Sequence, residues 1–189
     1  MLKLNLGCGT KPAPGFLNVD KVGSPDLRLD LEELPWPWET DSVDQVMFHH
    51  SLERLGASNA LYFGIIRELY RVCCDGAAIE ILVPHPRHDD FITDPTNVRM
   101  ITPAGMTMFS QAKNKEWTRD GTPRTQLGIQ LEVDLQLENT DFALDEPWGS
   151  KFRNQEITQD EVVEAITRYN NVIKEIRMVV RIVKPAGRE

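Results

Sequence analysis

The sequence lacks the features that mark membrane and exported proteins. No apolar run approaches the roughly 18 residues of a membrane-spanning helix, and the first residues contain no basic stretch followed by an apolar one, as a secretory leader does. Only three cysteines are present, Cys8, Cys73 and Cys74, and their spacing fits neither a metal site nor a disulfide framework. These absences predict a cytoplasmic protein with reduced thiols and no membrane contact.

Positive charge is also scarce. The chain has 21 Lys and Arg against 29 Asp and Glu, a formal net charge of −8. Non-specific binding to nucleic acid needs basic surface, so a nucleic-acid partner is disfavoured. A length of 189 residues with 41% hydrophobic residues is typical of one soluble domain, and we expect a single domain over 1–189.

The opening residues carry the strongest local pattern. Leu2, Leu4 and Leu6 alternate with polar residues, and Gly7-Cys8-Gly9 follows at once. Alternation that ends in closely spaced glycines predicts a strand leading into a ligand-binding turn, because glycine lets the backbone approach a ligand closely. Gly-x-Gly alone is a weak signal, since tight turns without a ligand also produce it.

Three further short strands follow, two of which end in an acid. We predict strands over 16–20 and 27–30, ending at Asp20 and Asp30, and another over 42–48 that is followed by His49 and His50. A strand-end acid is where nucleotide-binding folds hold a ribose hydroxyl. Only residues 7–15 separate the first two strands, and they contain two prolines, so the crossover helix is expected to be reduced or absent.

The rest of the sequence, from residue 58 onward, predicts two helices and three strands. Ser58 is a fair N-cap for a helix of about four turns, and an apolar strand follows over 78–83. A capping box at Thr158 and Glu161 precedes a second helix. Long alternating patterns predict strands over 127–138 and 172–183 that pair with each other.

Two segments are expected to be irregular and to face the substrate, 84–125, with a short helix near 103–111, and 139–157. The whole is an α/β fold: a Rossmann-like mixed seven-stranded sheet with helices on both faces and the last two strands antiparallel.

Taken together, the chain resembles the class I S-adenosylmethionine-dependent methyltransferases. The resemblance rests on five stretches in order, with motif-level agreement over residues 2–86: Leu4 to Gly9, Asp20, Asp30-Leu31, Leu34-Pro35-Trp36 with Asp41 to Asp44, and Glu68 to Val72 followed by Asp75-Gly76. It implies S-adenosylmethionine as cofactor. The implied cofactor-binding residues are Leu6, Gly7, Cys8 and Gly9 at the methionine part, Asp20 and Lys21 at the ribose, Asp30 and Leu31 at the adenine, and His49.

The first motif departs from the family pattern. Its third glycine is absent, and the short connection is similar to a subgroup of small bacterial methyltransferases often encoded near polysaccharide genes. Arg54 stands where the family commonly has histidine. The subgroup implies a small-molecule or glycan-like substrate methylated at a hydroxyl oxygen.

All four histidines follow two predicted strand ends. A histidine there could take a proton from an acceptor hydroxyl, and we predict His50 and His85 as catalytic, with His88 and Arg99 as substrate-binding residues. Loop histidines that only pack or cap, and a structural salt bridge at Arg99, are the plain alternatives. A metal site over His85 to Asp90 is disfavoured because the prolines there make convergence of the ligands uncertain, and none is predicted.

The predicted function is therefore methyl transfer from S-adenosylmethionine. The alternative is a non-catalytic domain that binds the same nucleotide or a partner protein. A nicotinamide-dependent oxidoreductase is disfavoured by the missing G-x-G-x-x-G and the short first crossover.

Because the first predicted strand begins at Leu2, we expect the family's amino-terminal helices to be missing. An apolar sheet face left thinly covered commonly marks an interface, so we predict self-association, with a homodimer as the simplest form. Analytical ultracentrifugation is expected to show a dimer; a sedimentation profile of monomer alone would contradict this.

Overall fold

One seven-stranded sheet organises the chain in the computed structural model, which describes residues 1–186. The last three residues of the predicted 1–189 domain lie outside the described residues. The strands are β1 (Leu2–Leu6), β2 (Leu17–Asp20), β3 (Leu27–Arg28), β4 (Val43–His49), β5 (Cys73–Pro84), β6 (Leu135–Leu144) and β7 (Ile173–Ile182).

The strand order is β3-β2-β1-β4-β5-β7-β6. The first five strands pair in parallel, while β7 is antiparallel to both β5 and β6. The predicted mixed seven-stranded sheet with its last two strands antiparallel is confirmed.

Seven α-helices and two 3-10 turns accompany the sheet in residues 1–186. The helices are α1 (Asn59–Val72), α2 (Asp89–Ile92), α3 (Pro103–Met106), α4 (Gln111–Asp120), α5 (Leu127–Leu131), α6 (Trp148–Arg153) and α7 (Gln159–Arg168), and the 3-10 turns are Leu52–Arg54 and Thr107–Phe109. In this part of the chain no helix combines the length and apolar character needed to cross a membrane. The predicted caps are present: Ser58 accepts from the Leu61 amide, and Thr158 and Glu161 form a capping box.

One face of the sheet carries the core. Side chains alternate between the two faces of a strand, and the register aligns Leu4, Val46, Ile79 and Val180 in a fully buried row across four strands. Helix α1 and the segment from α3 to α5 supply the other side chains of this core, including Ile65, Leu69, Met106, Phe109 and Leu131.

The opposite face is covered unevenly. Here the register aligns Lys3, Gln45, Ala78 and Arg181, and all four side chains are half-buried. No helix lies between β1 and β2, as predicted, and none lies between β2 and β3. Helices in these two connections would cover this face of the sheet. Because neither connection contains a helix, the helices cover the two faces of the sheet unequally. Self-association through this face stays a prediction.

A buried polar network closes the helix-free connection between β1 and β2. Asn5 and Asn18 lie opposite each other in the parallel ladder, and Asn5 Nδ2 donates to Asn18 Oδ1 over 2.9 Å. The same oxygen accepts from the Ala13 amide at 2.7 Å, while Asn5 Nδ2 also reaches the Lys11 carbonyl at 3.2 Å. From the next loop, one carboxylate oxygen of Asp26 accepts from both the amide and the side chain of Asn18, each at 2.8 Å. These hydrogen bonds lower the pKa of Asp26, which stays ionised.

Helix α1 holds the proline-rich loop before β4. Glu68 accepts from the Trp36 amide at 2.8 Å, and Arg71 donates to the carbonyls of Trp36 and Trp38 at 3.1 and 2.9 Å. Arg71 also pairs with Glu68 at 2.7 Å. Trp36 is buried in the core, so the tryptophan loop and the motif on α1 form one structural unit.

The predicted strand over 127–138 is wrong in its first half. Residues 127–131 form α5, in which the buried residues Gly128 and Leu131 are three apart and Ile129 is exposed. A Cβ on Gly128 would meet the Phe109 carbonyl oxygen at 2.7 Å, and buried Asn114 accepts from the Ile129 amide. Alternation of apolar residues predicted a strand, but this close approach and the Asn114 contact select a helix.

The boundaries of other elements also differ from the sequence prediction. The segment 84–125 contains α2, α3 and α4 rather than one short helix, and 139–157 contains the second half of β6 together with α6. Strand β5 begins at Cys73, immediately after α1, with an irregular pairing that includes Gly76 at φ +79°. Asp75-Gly76 therefore lies within β5, which begins before the predicted strand over 78–83.

Replacing Asn18 by alanine tests the polar network. Loss of its side chain leaves the buried amide of Asn5 without its main acceptor, at a cost of about 1–3 kcal/mol. We expect the free energy of unfolding, measured by urea denaturation, to fall by that amount in Asn18→Ala. The control Asn139→Ala removes an exposed asparagine whose side chain donates to Asp141, and it should change stability by less than about 0.5 kcal/mol. Equal losses in the two variants would contradict the network's role.

Candidate active site

A cavity of about 510 Å³ opens at the carboxyl ends of β1, β2, β3 and β4. Its volume lies in the range of small-molecule sites, roughly 300–1,000 Å³. The chain reverses its direction across the sheet between β1 and β4, and open α/β sheets bind ligands at such a switch point. Nine of the residues predicted from sequence line the cavity: Gly7, Cys8, Gly9, Asp20, Lys21, Asp30, Leu31, His49 and His50.

The glycine turn is built against β2 and the 3-10 turn. The amides of Gly7 and Cys8 both donate to the Val19 carbonyl, at 2.8 and 3.1 Å. Gly7 has φ +73°, and a Cβ built on it would overlap the Ser51 Cβ. Ser51 in turn donates to the Leu6 carbonyl at 2.7 Å. Glycine is therefore required at position 7 by both its backbone conformation and the close approach of Ser51.

Asp20 is fixed by the backbone on both sides. Oδ2 accepts from the Gly9 amide at 2.8 Å, and Oδ1 accepts from the Val22 amide at 3.0 Å. A carboxylate offers about four acceptor sites, so each oxygen can accept a further hydrogen bond from a ligand. The acid is thus held at the cavity wall in one orientation.

Asp30 also lines the cavity and forms an ion pair with Lys21. Its Oδ2 lies 3.2 Å from Lys21 Nζ, and its Oδ1 accepts from the Glu32 amide at 3.1 Å. The hydrogen bond from Glu32, with a contribution from Lys21, holds the pKa of Asp30 below its ordinary value. Leu29 and Leu31 flank this carboxylate and give the same wall an apolar surface.

His49 and His50 close the cavity at the end of β4. His49 Nε2 lies 3.1 Å from Glu80 on β5. His50 adopts φ +54°, and its amide donates to the Leu82 carbonyl at 2.8 Å. Burial lowers the pKa of His50, and nearby Glu175 opposes that shift. The imidazole of His50 is therefore neutral at physiological pH.

Four predicted site residues do not line the cavity. Leu6 is fully buried, and only its carbonyl, bound to Ser51, takes part in the site's framework. His85 accepts from the Arg87 amide through Nδ1 at 3.2 Å, and burial lowers its pKa. His85, predicted as catalytic, therefore has a structural contact and lies outside the cavity.

His88 and Arg99, predicted to bind substrate, also have structural partners. His88 is buried, caps α2 by accepting from the Asp90 amide, and lies 3.0 Å from Asp145 through Nε2. Arg99 donates to the Gly56 carbonyl at 2.7 Å and stacks over the Tyr62 ring at 4.1 Å. Within residues 1–186 no His, Cys, Asp and Glu side chains gather as a metal site would require.

Comparison with solved structures identifies the fold. The chain superposes on an S-adenosylmethionine-dependent methyltransferase from Archaeoglobus fulgidus with a TM-score of 0.60, at 15% identity over 95% of this chain and 85% of that one. A methyltransferase of the same description from Methanosarcina mazei gives 0.53, at 12% identity over 96% and 92%. The [4+2]-cyclase SpnF gives 0.50, at 12% identity over 96% and 74%. No family model and no curated protein matches the sequence.

The chain has the class I S-adenosylmethionine-dependent methyltransferase fold.

Half of the lining residues of this methyltransferase fold were missed from sequence. They come from β1 and the turn after it, from the residues that follow β2, β3 and β4, and from a segment brought in by tertiary folding: Asn5, Thr10, Lys11, Val22, Leu29, Ser51, Arg54, Leu55 and Thr96. The first five and Ser51 lie within three residues of predicted positions and could have been found by extending each motif. Arg54 marks a departure from the family pattern, and Leu55 and Thr96 carry no local signal. The Glu53 carbonyl accepts from the amides of Val98 and Arg99, at 2.9 and 3.0 Å, and this contact brings Thr96 to the cavity.

Beside the cavity, the 3-10 turn contains a buried acid. Glu53 is 1% exposed, and its Oε2 has no hydrogen-bond partner within the described residues. Burial raises the pKa of Glu53 to about 7. Because the folded state holds the proton more tightly than the unfolded state, Glu53 lowers stability as the pH rises from its ordinary pKa of 4.5 toward 7.

The variant Glu53→Gln isolates this effect. At about pH 8 it should be more stable than the parent by up to about 3 kcal/mol, because each pKa unit corresponds to 1.36 kcal/mol. At about pH 4 both proteins carry a neutral side chain here, and most of the difference should vanish. Urea denaturation at the two pH values measures it. Glu33→Gln, at an exposed glutamate, is the control, and the same stability difference for Glu53→Gln at both pH values would contradict the assignment.

Proposed function

We propose that the protein transfers a methyl group from S-adenosylmethionine to an acceptor hydroxyl. One observation carries the proposal: the glycine turn, two strand-end carboxylates and two histidines converge on one cavity at the switch point of a methyltransferase fold. A pyrophosphate cofactor is disfavoured there, because two ionised acids, Asp20 and Asp30, would repel it.

The lining suits the parts of the donor. Asp20 has acceptor capacity left for two ribose hydroxyls, since each of its oxygens accepts only one amide. Asp30 and the backbone after it offer an acceptor and a donor for the adenine edge, with Leu29 and Leu31 as the apolar wall. The turn from Gly7 to Gly9 lies at the methionine end, with Lys21 and His49 at the borders. Bound in this way, the donor supplies an electrophilic methyl group on a sulfonium.

His50 supplies the base that a hydroxyl acceptor needs. Its neutral imidazole takes the hydroxyl proton while the acceptor oxygen forms its bond to the methyl carbon, and the electron pair of the broken carbon–sulfur bond stays on sulfur. Most of the acceleration comes from alignment, which can contribute about 7–11 kcal/mol when the reacting atoms are held about 3–3.5 Å apart. The acceptor is proposed to be a small molecule or glycan, and the protein is proposed to act in the cytoplasm.

A second function has one supporting observation. The same fold is shared by a protein described as a [4+2]-cyclase, and a fold does not fix the reaction of its site. A domain that binds the nucleotide without methyl transfer is therefore the alternative. Incubation of cell extract with radiolabelled S-adenosylmethionine separates the two: methyl transfer is expected to label an acceptor, whereas the alternative gives binding without labelling.

Calorimetric titration tests the binding site directly. The protein should bind S-adenosylmethionine and its demethylated product but not NAD. In Asp20→Ala the dissociation constant should rise at least about tenfold, because charge-assisted hydrogen bonds contribute about 1.5–3 kcal/mol.

Asp141→Ala, at an exposed acid on β6, is the control and should bind as the parent does. Thermal denaturation must show that Asp20→Ala is folded, since Asp20 also holds the Gly9 and Val22 amides. Full affinity in folded Asp20→Ala, or no binding by the parent, would overturn the assignment.

A further inference from the structure

Both cavity histidines face a glutamate from a neighbouring strand. His49 Nε2 lies 3.1 Å from Oε1 of Glu80 on β5, and His50 Nε2 lies 3.2 Å from Oε1 of Glu175 on β7. Neither glutamate lines the cavity, and each reaches it through contact with its histidine. Both pairs are about one-third exposed, with side-chain exposures between 26% and 33%.

The two pairs differ in their surroundings. The Glu80 carboxylate is shared, because Arg177 approaches the same Oε1 to 3.0 Å. A cation at this distance already compensates the negative charge of Glu80. In the described part of the chain, no Lys or Arg ion pair is formed by Glu175, whose charge partner is His50. The negative charge of Glu175 therefore acts mainly on the imidazole of His50.

Other groups around His50 oppose its protonation. Burial disfavours the imidazolium, and so do the positive charges of Lys11 in the turn after β1 and Arg54 in the 3-10 turn, together with His49 beside it on β4. Glu175 is the one group among these that favours the charged form. A base in such surroundings loses its ability to hold a proton unless one nearby carboxylate compensates.

We propose that Glu175 is a positioning residue for His50: its carboxylate, 3.2 Å from Nε2, stabilises the imidazolium formed when His50 takes a proton. Nδ1, which has no partner among residues 1–186, is the nitrogen that receives the acceptor's proton. This inference rests on the proposed function. Through Glu175, the antiparallel strand β7 contributes to a site that is otherwise built from the parallel strands.

The test compares Glu175→Gln with Glu80→Gln. The ionisation of His50 is followed by NMR titration of the histidine ring nitrogens in the protein without ligand, with His50→Gln used to assign its signal. In Glu175→Gln we expect the acid dissociation constant of the His50 imidazolium to rise at least about threefold, because an opposite charge at this distance favours the charged form. Glu80→Gln should alter mainly His49, and Glu175→Asp, which keeps the charge, should return His50 toward the parent value.

The reaction gives a second readout. In Glu175→Gln, kcat should fall while KM for S-adenosylmethionine is unchanged, and the acidic limb of the kcat profile should move to lower pH. An unchanged His50 ionisation in Glu175→Gln, or the same shift in Glu80→Gln, would overturn the inference. If the parent protein transfers no methyl group, the proposed function fails by itself, whereas the NMR titration still decides whether Glu175 controls the proton affinity of His50.

Discussion

The buried hydrogen bond between Asn5 and Asn18 is the contact on which the site depends. It joins two parallel strands at a point where no helix braces their connection, and it is extended by the Ala13 amide and by Asp26. Because β1 and β2 are held in register there, the turn after β1 and the acid after β2 arrive at the same edge. The Gly9 amide then reaches the Asp20 carboxylate, and the cavity wall is complete. A polar network thus replaces the packing of a crossover helix, at the cost of requiring every buried amide in it to be paired.

The cavity divides into two electrostatic regions. On one side lie the carboxylates of Asp20 and Asp30, which are held by backbone amides and, at Asp30, by Lys21. On the other side, burial and the cations Lys11 and Arg54 keep His50 neutral. Two acids suit the hydroxyls and amino group of a nucleoside, and a neutral imidazole suits a proton acceptor. The fold sets this division, because it places amides and Lys21 beside the two acids and places cations beside His50. In this way it supports the proposed chemistry.

Local patterns predicted the sheet and the part of the cavity that the glycine turn and the two acids line. The strand-end acids, the glycine turn and the caps at Ser58 and Thr158 depend on neighbours within a few residues, so they are readable from the sequence. The alternating pattern over 127–138 gave a wrong prediction for residues 127–131, because the helix there is selected by a distant contact, the close approach of Gly128 to the Phe109 carbonyl. The structural partners of Arg99 and His88, Gly56 and Asp145, could not be predicted for a related reason: they are distant in sequence. Glu175 could not be predicted, since its meeting with His50 depends on the pairing of β7 with β5.

A crystal structure of the protein with the demethylated product of S-adenosylmethionine tests the central claim most directly. The product is expected in the cavity between β1 and β4, with both ribose hydroxyls within about 3.2 Å of the Asp20 carboxylate, the adenine beside Asp30 and Leu31, and the sulfur on the side of His50. A product bound elsewhere, or a ribose that makes no contact with Asp20 in this cavity, would contradict it.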